Sequence, residues 1–196
     1  MLIVGDGGAA WEPALFWALF LLFLAGELWL QCYRQLPAQA TDRDRGSRWL
    51  VGGSVWVAIG PAVAASRLMP SPLQIPSPAL FAAGLGLMAI GIGVRWIAVA
   101  QLGDSFTVEV GTHLGQRVRD RGAYRLVRHP SYTGSLATVL GILLCCTNWV
   151  ALALILLPAL GYANRIRVEE AALVEGLGEA YRAYMRRTKR LIPFLL

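Results

Sequence analysis

The chain has 196 residues, 56% of them hydrophobic, a positive mean hydropathy and a formal net charge of +6. That is too apolar for an ordinary soluble domain, and several runs approach the ~20 residues needed to cross a bilayer. The basic excess is confined to particular loops, where membrane topology accounts for it without a nucleic-acid partner.

The residues before Trp11 hold Asp6 and no lysine or arginine, and no small-residue cleavage site follows. A retained first span, not a cleaved signal, is expected. Pro13 after Glu12 suits a first helical turn. Apolar spans are predicted over residues 13–32, 49–69 and 79–102. Arg34, Arg43, Arg45 and Arg48, with Asp42 and Asp44 among them, follow the first span. The connector 70–78 is rich in proline and serine and uncharged. In the third span Gly84, Gly86 and Ala89 read as small residues that permit close helix packing. Gly91-x-Gly93 follows no strand, so a dinucleotide fold is excluded.

A long polar segment, 103–131, comes next. Apolar stretches 132–146 and 149–163, joined at Thr147-Asn148, are each short for a full crossing and predict a tight helical hairpin. Residues 164–190 repeat apolar positions at Leu173, Leu177, Tyr181 and Met185, the stripe of an amphipathic helix. Gly176 and Gly178 break or bend it, and Pro193 marks its end. Its basic end, Arg186, Arg187, Lys189 and Arg190, would meet anionic membrane lipid.

The expected architecture is an all-α integral membrane protein of about five transmembrane helices, forming a single membrane domain over 1–196. Three spans occupy 13–102; the polar loop, hairpin and C-terminal helix occupy 103–196. Basic loops after spans one, three and five place the N-terminus outside and the C-terminus in the cytoplasm. Seventeen of the eighteen basic residues are arginine, a bias that suggests a GC-rich bacterium and hence its inner membrane. Cys32, Cys145 and Cys146 have neither metal-ligand nor disulfide spacing and read as small buried hydrophobes.

Three groups carry chemistry. Arg95 is a charge inside an apolar span, roughly 10 Å from its cytosolic end, and is a functional candidate by default. Glu27, the other intramembrane charge, reads as structural. Arg165 and Glu169 stand four apart on one helix face, with Glu170 adjacent. The polar run 121–134 crowds three arginines, His129 and two tyrosines into a membrane-boundary loop. No histidine or cysteine stands at ligand spacing from His129, and His113 is distant, so no metal site is expected. No serine or cysteine sits in a nucleophile elbow.

These elements, in order, resemble the isoprenylcysteine carboxyl methyltransferase family of membrane enzymes. The resemblance rests on Arg95 with Leu102-Gly103-Asp104-Ser105-Phe106-Thr107, then on Gly122-Ala123-Tyr124-Arg125-Leu126-Val127-Arg128-His129-Pro130-Ser131-Tyr132-Thr133-Gly134. It continues through Arg165 with Glu169-Glu170, Tyr181 with Tyr184, and Arg190-Leu191-Ile192-Pro193. It covers about half the chain and omits the first two spans. It implies S-adenosylmethionine as cofactor, with S-adenosylhomocysteine as product, in a cytosolic pocket. The residues it assigns there are Tyr124, Leu126, Val127, Arg128, His129, Pro130, Tyr132, Gly134, Glu169, Glu170 and Tyr181. It assigns Arg95 and Arg165 to the reacting carboxylate of a lipophilic or lipidated acceptor. A carboxylic acid, with a pKa near ~4, is already ionised at neutral pH, so it needs alignment by arginine and no general base. Two alternatives stay open: N-methylation of a phospholipid amine, suggested by Gly91-x-Gly93 with Glu169-Glu170, and a non-catalytic scaffold whose basic helix gathers anionic lipid.

Overall fold

Where a helix lies in this chain follows apolar length, and where it stops follows proline, glycine and capping chemistry. The computed structural model describes residues 11–33, 41–42, 44, 46–68, 78–103, 106, 111–112 and 118–193, with backbone alone at 41, 42, 67, 111 and 112. Asp6, Arg34, Arg43, Arg45, Asp104, Ser105, Thr107, His113, the connector 70–77 and the side chains of Asp42 and Arg67 lie outside the described residues.

Helix α1 is Glu12–Tyr33, α2 is Ser47–Leu68, α3 is Pro78–Leu102 and α4 is Pro130–Cys145. Each matches an expected span to within two residues. Pro78 and Pro130 occupy first-turn positions, where a missing N–H costs nothing. Asn148 caps α5 (Trp149–Ala153) by accepting a 2.7 Å bond from the Ala151 N–H. A shift at Leu154–Ile155 separates α5 from α6 (Leu156–Leu177). Pro158 cannot donate to the carbonyl four residues back, which places the irregularity there. Gly178, at φ 60° and ψ −132°, turns the chain into α7 (Glu179–Arg187).

The C-terminal half differs from the expectation in one respect. Helix continues without a break from the last apolar stretch through Glu169 and Glu170, so residues 164–177 are not a separate interfacial helix. The stripe Leu173, Leu177, Tyr181, Met185 is divided by Gly178, and α7 buries Tyr181 and Tyr184 instead. Among the described residues four helices, with α5 and α6 counted as one run over Trp149–Leu177, are long and apolar enough to cross a membrane. Helix α4, at 16 residues or ~24 Å, is shorter than a bilayer core. The protein is thus a multi-pass membrane protein in which one helix of the expected hairpin is short and the other long.

The helices meet along seams of small residues. In α3, Gly84 and Gly91 face Gly141 and Gly134 of the antiparallel α4, at the same seven-residue spacing on each helix. A Cβ added at Gly91 would stand 2.5 Å from the Thr138 backbone nitrogen, and one at Gly134 would stand 2.6 Å from the Gly91 carbonyl oxygen. The α3–α4 packing therefore requires glycine. Gly86 and Gly93 differ from the packing expectation for this stretch: nothing lies within 4 Å of a Cβ at either. Phe16, Ile59, Phe81, Leu85, Met88, Ile142 and Cys145 form the main core. Cys145 and Cys146 are buried as expected, but Cys32 is exposed near the end of α1. Leu21, Leu22, Ile90 and Leu160 point outward, as apolar side chains do when the solvent is lipid.

The polar connectors gather at one end of the bundle. Thr41–Asp42 (β1) pairs antiparallel with Gly111–Thr112 (β2), joining the α1–α2 connector to the loop after α3. A 3-10 turn at Gly122–Arg125 docks on the end of α3, where the Ala123 N–H donates to Gln101 Oε1 at 2.8 Å. Residues 188–191 lie beside 127–133. Gly91→Ala is expected to destabilise the protein by about 1–3 kcal/mol through overpacking, whereas Gly86→Ala is expected to be neutral or stabilising by up to ~1 kcal/mol. Unfolding in mixed micelles checks the contrast; equal effects would remove the seam's importance.

Candidate functional site

Two buried arginines, Arg95 and Arg165, and a partly buried third, Arg128, organise the polar end, and each is answered by a carboxylate. Arg95 of α3 pairs with Glu27 of α1 on its Nε and Nη2 edge, with Nη2 donating to Glu27 Oε2 at 2.7 Å. Its Nη1 donates to Ser131 Oγ at 2.8 Å, at the start of α4. The glycine seam brings the α3 and α4 backbones close enough for that contact.

Arg165 of α6 pairs with Asp44, and its Nη1 also donates to Ser47 Oγ at 2.6 Å. Its Nε donates to the Tyr132 hydroxyl at 3.2 Å, and that hydroxyl donates to Glu169 Oε2 at 2.6 Å. The expected shared face of Arg165 and Glu169 is therefore bridged by one tyrosine oxygen.

Arg128 pairs with Glu170 at 2.8 Å and also donates to the carbonyls of Met185, at 3.1 Å, and Thr188. Glu170 in turn accepts from Arg190, at 2.8 Å from Nη2 and 3.0 Å from Nε. Arg190, although half-exposed, is thus held by a buried carboxylate. The backbone completes this clasp: the Arg128 N–H donates to the Lys189 carbonyl at 2.7 Å and the His129 N–H to the Arg190 carbonyl at 3.0 Å. Thr133 Oγ1 donates to the Leu191 carbonyl at 2.8 Å.

His129 lies between these clusters. Its ring stacks on Tyr132, at 5.4 Å between centroids and 4° between planes. Nδ1 is 3.7 Å from Glu169 Oε2, and Nε2 is 3.4 Å from Glu170 Oε1. Nε2 is buried with no hydrogen-bond partner among the described residues. Pro130 is buried at the first turn of α4 and sets the direction in which that helix leaves the loop.

The remaining assigned residues divide. Tyr181 is buried beside Tyr184, which donates to the Tyr124 carbonyl at 2.6 Å. Burial pushes the Tyr184 hydroxyl up to about 12, and burial likewise raises Tyr124 and Tyr181, so all three stay neutral near pH 7. Val127 is buried against the C-terminal segment, whereas Leu126 is exposed. Gly134 lies in the α3–α4 seam, where backbone packing accounts for its missing side chain.

A cavity of about 210 Å³ opens beside the first two arginines. Arg95, Arg165, Tyr132, Tyr162 and Glu27 line its polar part; Phe20, Phe23 and Leu24 of α1 and Val55, Trp56 and Ile59 of α2 line its apolar part. Its chemistry is that of a site for a lipophilic molecule with a polar, hydrogen-bond-accepting end. Sequence reasoning gave no site role to Asp44, Ser47, Ser131 or Tyr162. Asp44 did carry a signal, an acid three residues before Ser47 at a helix start. Ser131 stands within the run that carries the family resemblance but was given no role of its own there, and Ser47 carried no signal.

Residues 84–175 match the sequence profile of the Isoprenylcysteine carboxyl methyltransferase (ICMT) family. A Schizosaccharomyces pombe protein-S-isoprenylcysteine O-methyltransferase is 33% identical over 117 residues, covering 57% of this chain and 48% of that protein. A probable protein-S-isoprenylcysteine O-methyltransferase of Oryza sativa subsp. indica is 31% identical over 115 residues, covering 57% of this chain and 60% of that protein. The chain thus spans about half to three-fifths of the length of these relatives. The solved structure of the eukaryotic intramembrane Ras methyltransferase ICMT superposes with a TM-score of 0.57 at 24% identity, covering 75% of this chain and 52% of that one. The resemblance noted in the sequence extends to the fold.

Breaking the Arg128–Glu170 pair with Glu170→Gln is expected to cost about 3–5 kcal/mol, because a buried charge loses its counter-ion. Arg190→Ala, at a half-exposed partner, is expected to cost about 1 kcal/mol or less. Chemical unfolding in micelles gives the order; a reversed order would mean that Arg190 carries the clasp.

Proposed function

We propose that this protein is an S-adenosylmethionine-dependent O-methyltransferase acting on the carboxylate of an isoprenylcysteine-like or other small lipophilic acid. The observation that carries this reading is one cavity with Arg95 and Arg165 at its polar end and aromatic and aliphatic side chains of α1 and α2 around the rest. The family resemblance of residues 84–175 supports it.

The residues around His129 suit the proposed cofactor. Glu169 offers a partly exposed carboxylate, and His129 a buried ring nitrogen with unused hydrogen-bonding capacity. When bound, the cofactor supplies an electrophilic methyl group. Everything else is alignment by the chain. Arg95 and Arg165 hold the acceptor carboxylate by directed N–H bonds, leaving an oxygen lone pair free to attack. An acid ionised at neutral pH needs no base, and Glu27, which lines the cavity, and Asp44, behind Arg165, are already committed to arginine. An amine acceptor would lack a comparable partner there. Tyr132, bonded to both Arg165 and Glu169, couples the acceptor side to the cofactor side.

The acceptor's tail occupies the apolar part of the cavity, and the cofactor enters from the aqueous face. That face is the cytoplasmic side of a bacterial inner membrane, with the N-terminus outside, because the basic connectors share one end of the bundle.

Purified protein in micelles, given radiolabelled S-adenosylmethionine, is expected to convert a prenyl thioether carboxylic acid into an alkali-labile methyl ester and to leave its primary amide unlabelled. Label in phosphatidylethanolamine would favour the amine acceptor instead. Absence of both S-adenosylhomocysteine binding and transfer would overturn the enzyme reading. Arg165→Lys keeps the charge beside Asp44 but loses the planar fork, so turnover should fall more than about tenfold with S-adenosylhomocysteine affinity unchanged. Preserved turnover would remove Arg165 from the acceptor site.

A further inference from the structure

We infer that the N-terminal part of the chain supplies two positioning carboxylates, Glu27 of α1 and Asp44 just before α2, that aim the guanidinium groups of Arg95 and Arg165 at the acceptor; this rests on the reaction proposed above. Both residues precede residue 84, where the family match begins. Each grips an arginine contributed by the matched part of the chain.

The geometry is that of a clamp on each guanidinium. Glu27 engages Arg95 on the Nε and Nη2 edge while Ser131 takes Nη1, so both edges of the planar group are held by different helices. Asp44 and Ser47 take Nη1 of Arg165 while Tyr132 takes Nε. Asp44 is itself fixed by the first turn of α2, accepting from Ser47 Oγ at 3.0 Å and from the Arg48 N–H at 3.2 Å. The register of α2 therefore reaches Arg165 through a rigid carboxylate.

Without these partners each arginine would be a charge in an apolar wall, on a long stem able to swing towards water. Pairing removes that tendency and keeps each head group at the cavity surface. It also leaves each pair neutral, so an acid is received by oriented N–H groups and not by bulk positive charge. Methyl transfer depends on in-line alignment, and small misplacements of the acceptor cost rate more than binding. Glu27 and Asp44 touch neither the methyl group nor its donor. Their effect passes through Arg95 and Arg165.

The test compares wild type, Glu27→Gln and Asp44→Asn in the same micelles, measuring kcat, KM for a prenyl thioether carboxylic acid, KM for S-adenosylmethionine and S-adenosylhomocysteine binding. In both variants kcat is expected to fall about ten- to a hundredfold, while cofactor KM and S-adenosylhomocysteine affinity stay within about twofold of wild type. A variant kcat within twofold of an active wild type overturns the positioning role and leaves the proposed reaction standing. Turnover and S-adenosylhomocysteine binding that decline together also overturn it, assigning these carboxylates to the fold. A wild type that transfers no methyl to the acid overturns the proposed reaction and the inference with it.

Discussion

The reciprocal glycine contact between α3 and α4 is the constraint on which the rest of the polar end depends. Gly84 meets Gly141 and Gly91 meets Gly134, so the two backbones touch where any side chain would force them apart. One turn beyond Gly91 stands Arg95, and just before Gly134 stands Ser131. Close packing therefore delivers a charged side chain from mid-span to the start of α4. Ser131, Tyr132 and Thr133 then lie in one helical turn, so a single element contacts Arg95, Arg165 with Glu169, and the C-terminal segment.

Charge at this end is arranged in buried or part-buried pairs. Arg95 with Glu27 and Arg165 with Asp44 border the cavity, while Arg128 with Glu170 holds the loop to the last residues of the chain. An unpaired arginine in such surroundings would be strongly unfavourable, and pairing with several hydrogen bonds is the condition for keeping it there. The three pairs differ in consequence. The first two present N–H groups beside an apolar space; the third closes a clasp between segments about sixty positions apart. The Tyr132 hydroxyl joins Arg165 to Glu169, the residue next to Glu170 on α6.

Much of the helical framework was legible because apolar length and turn residues are local properties. Residues 13–32, 49–69 and 79–102 needed only hydropathy and their flanking prolines. The C-terminal half was less so. Polarity rises after Ala163, which suggested a separate surface helix, yet backbone hydrogen bonding does not stop where apolar composition ends. Gly161 is the one glycine between Pro158 and Gly176, too little to stop the helix, so α6 runs on and carries Arg165, Glu169 and Glu170 on one rigid rod. Gly134 shows the opposite difficulty. A motif glycine looks functional in a string of letters, and its packing role against Gly91 becomes visible only when the facing helix is in place.

By itself the sequence determined that this is a helical membrane chain, that Arg95 and Arg165 are costly charges requiring a reason, and that the run from His129 to Gly134 belongs with Glu169 and Glu170. It could not determine which carboxylate answers which arginine. Glu27 lies 68 residues from Arg95, and Asp44 lies 121 residues from Arg165. Pairings over such distances follow from which helix faces meet, and those faces are chosen by small-residue seams and core packing, not by local pattern. Only the tertiary structure could decide that the first two helices and the connector between them, which carry no family motif, border the cavity and hold Arg95 and Arg165.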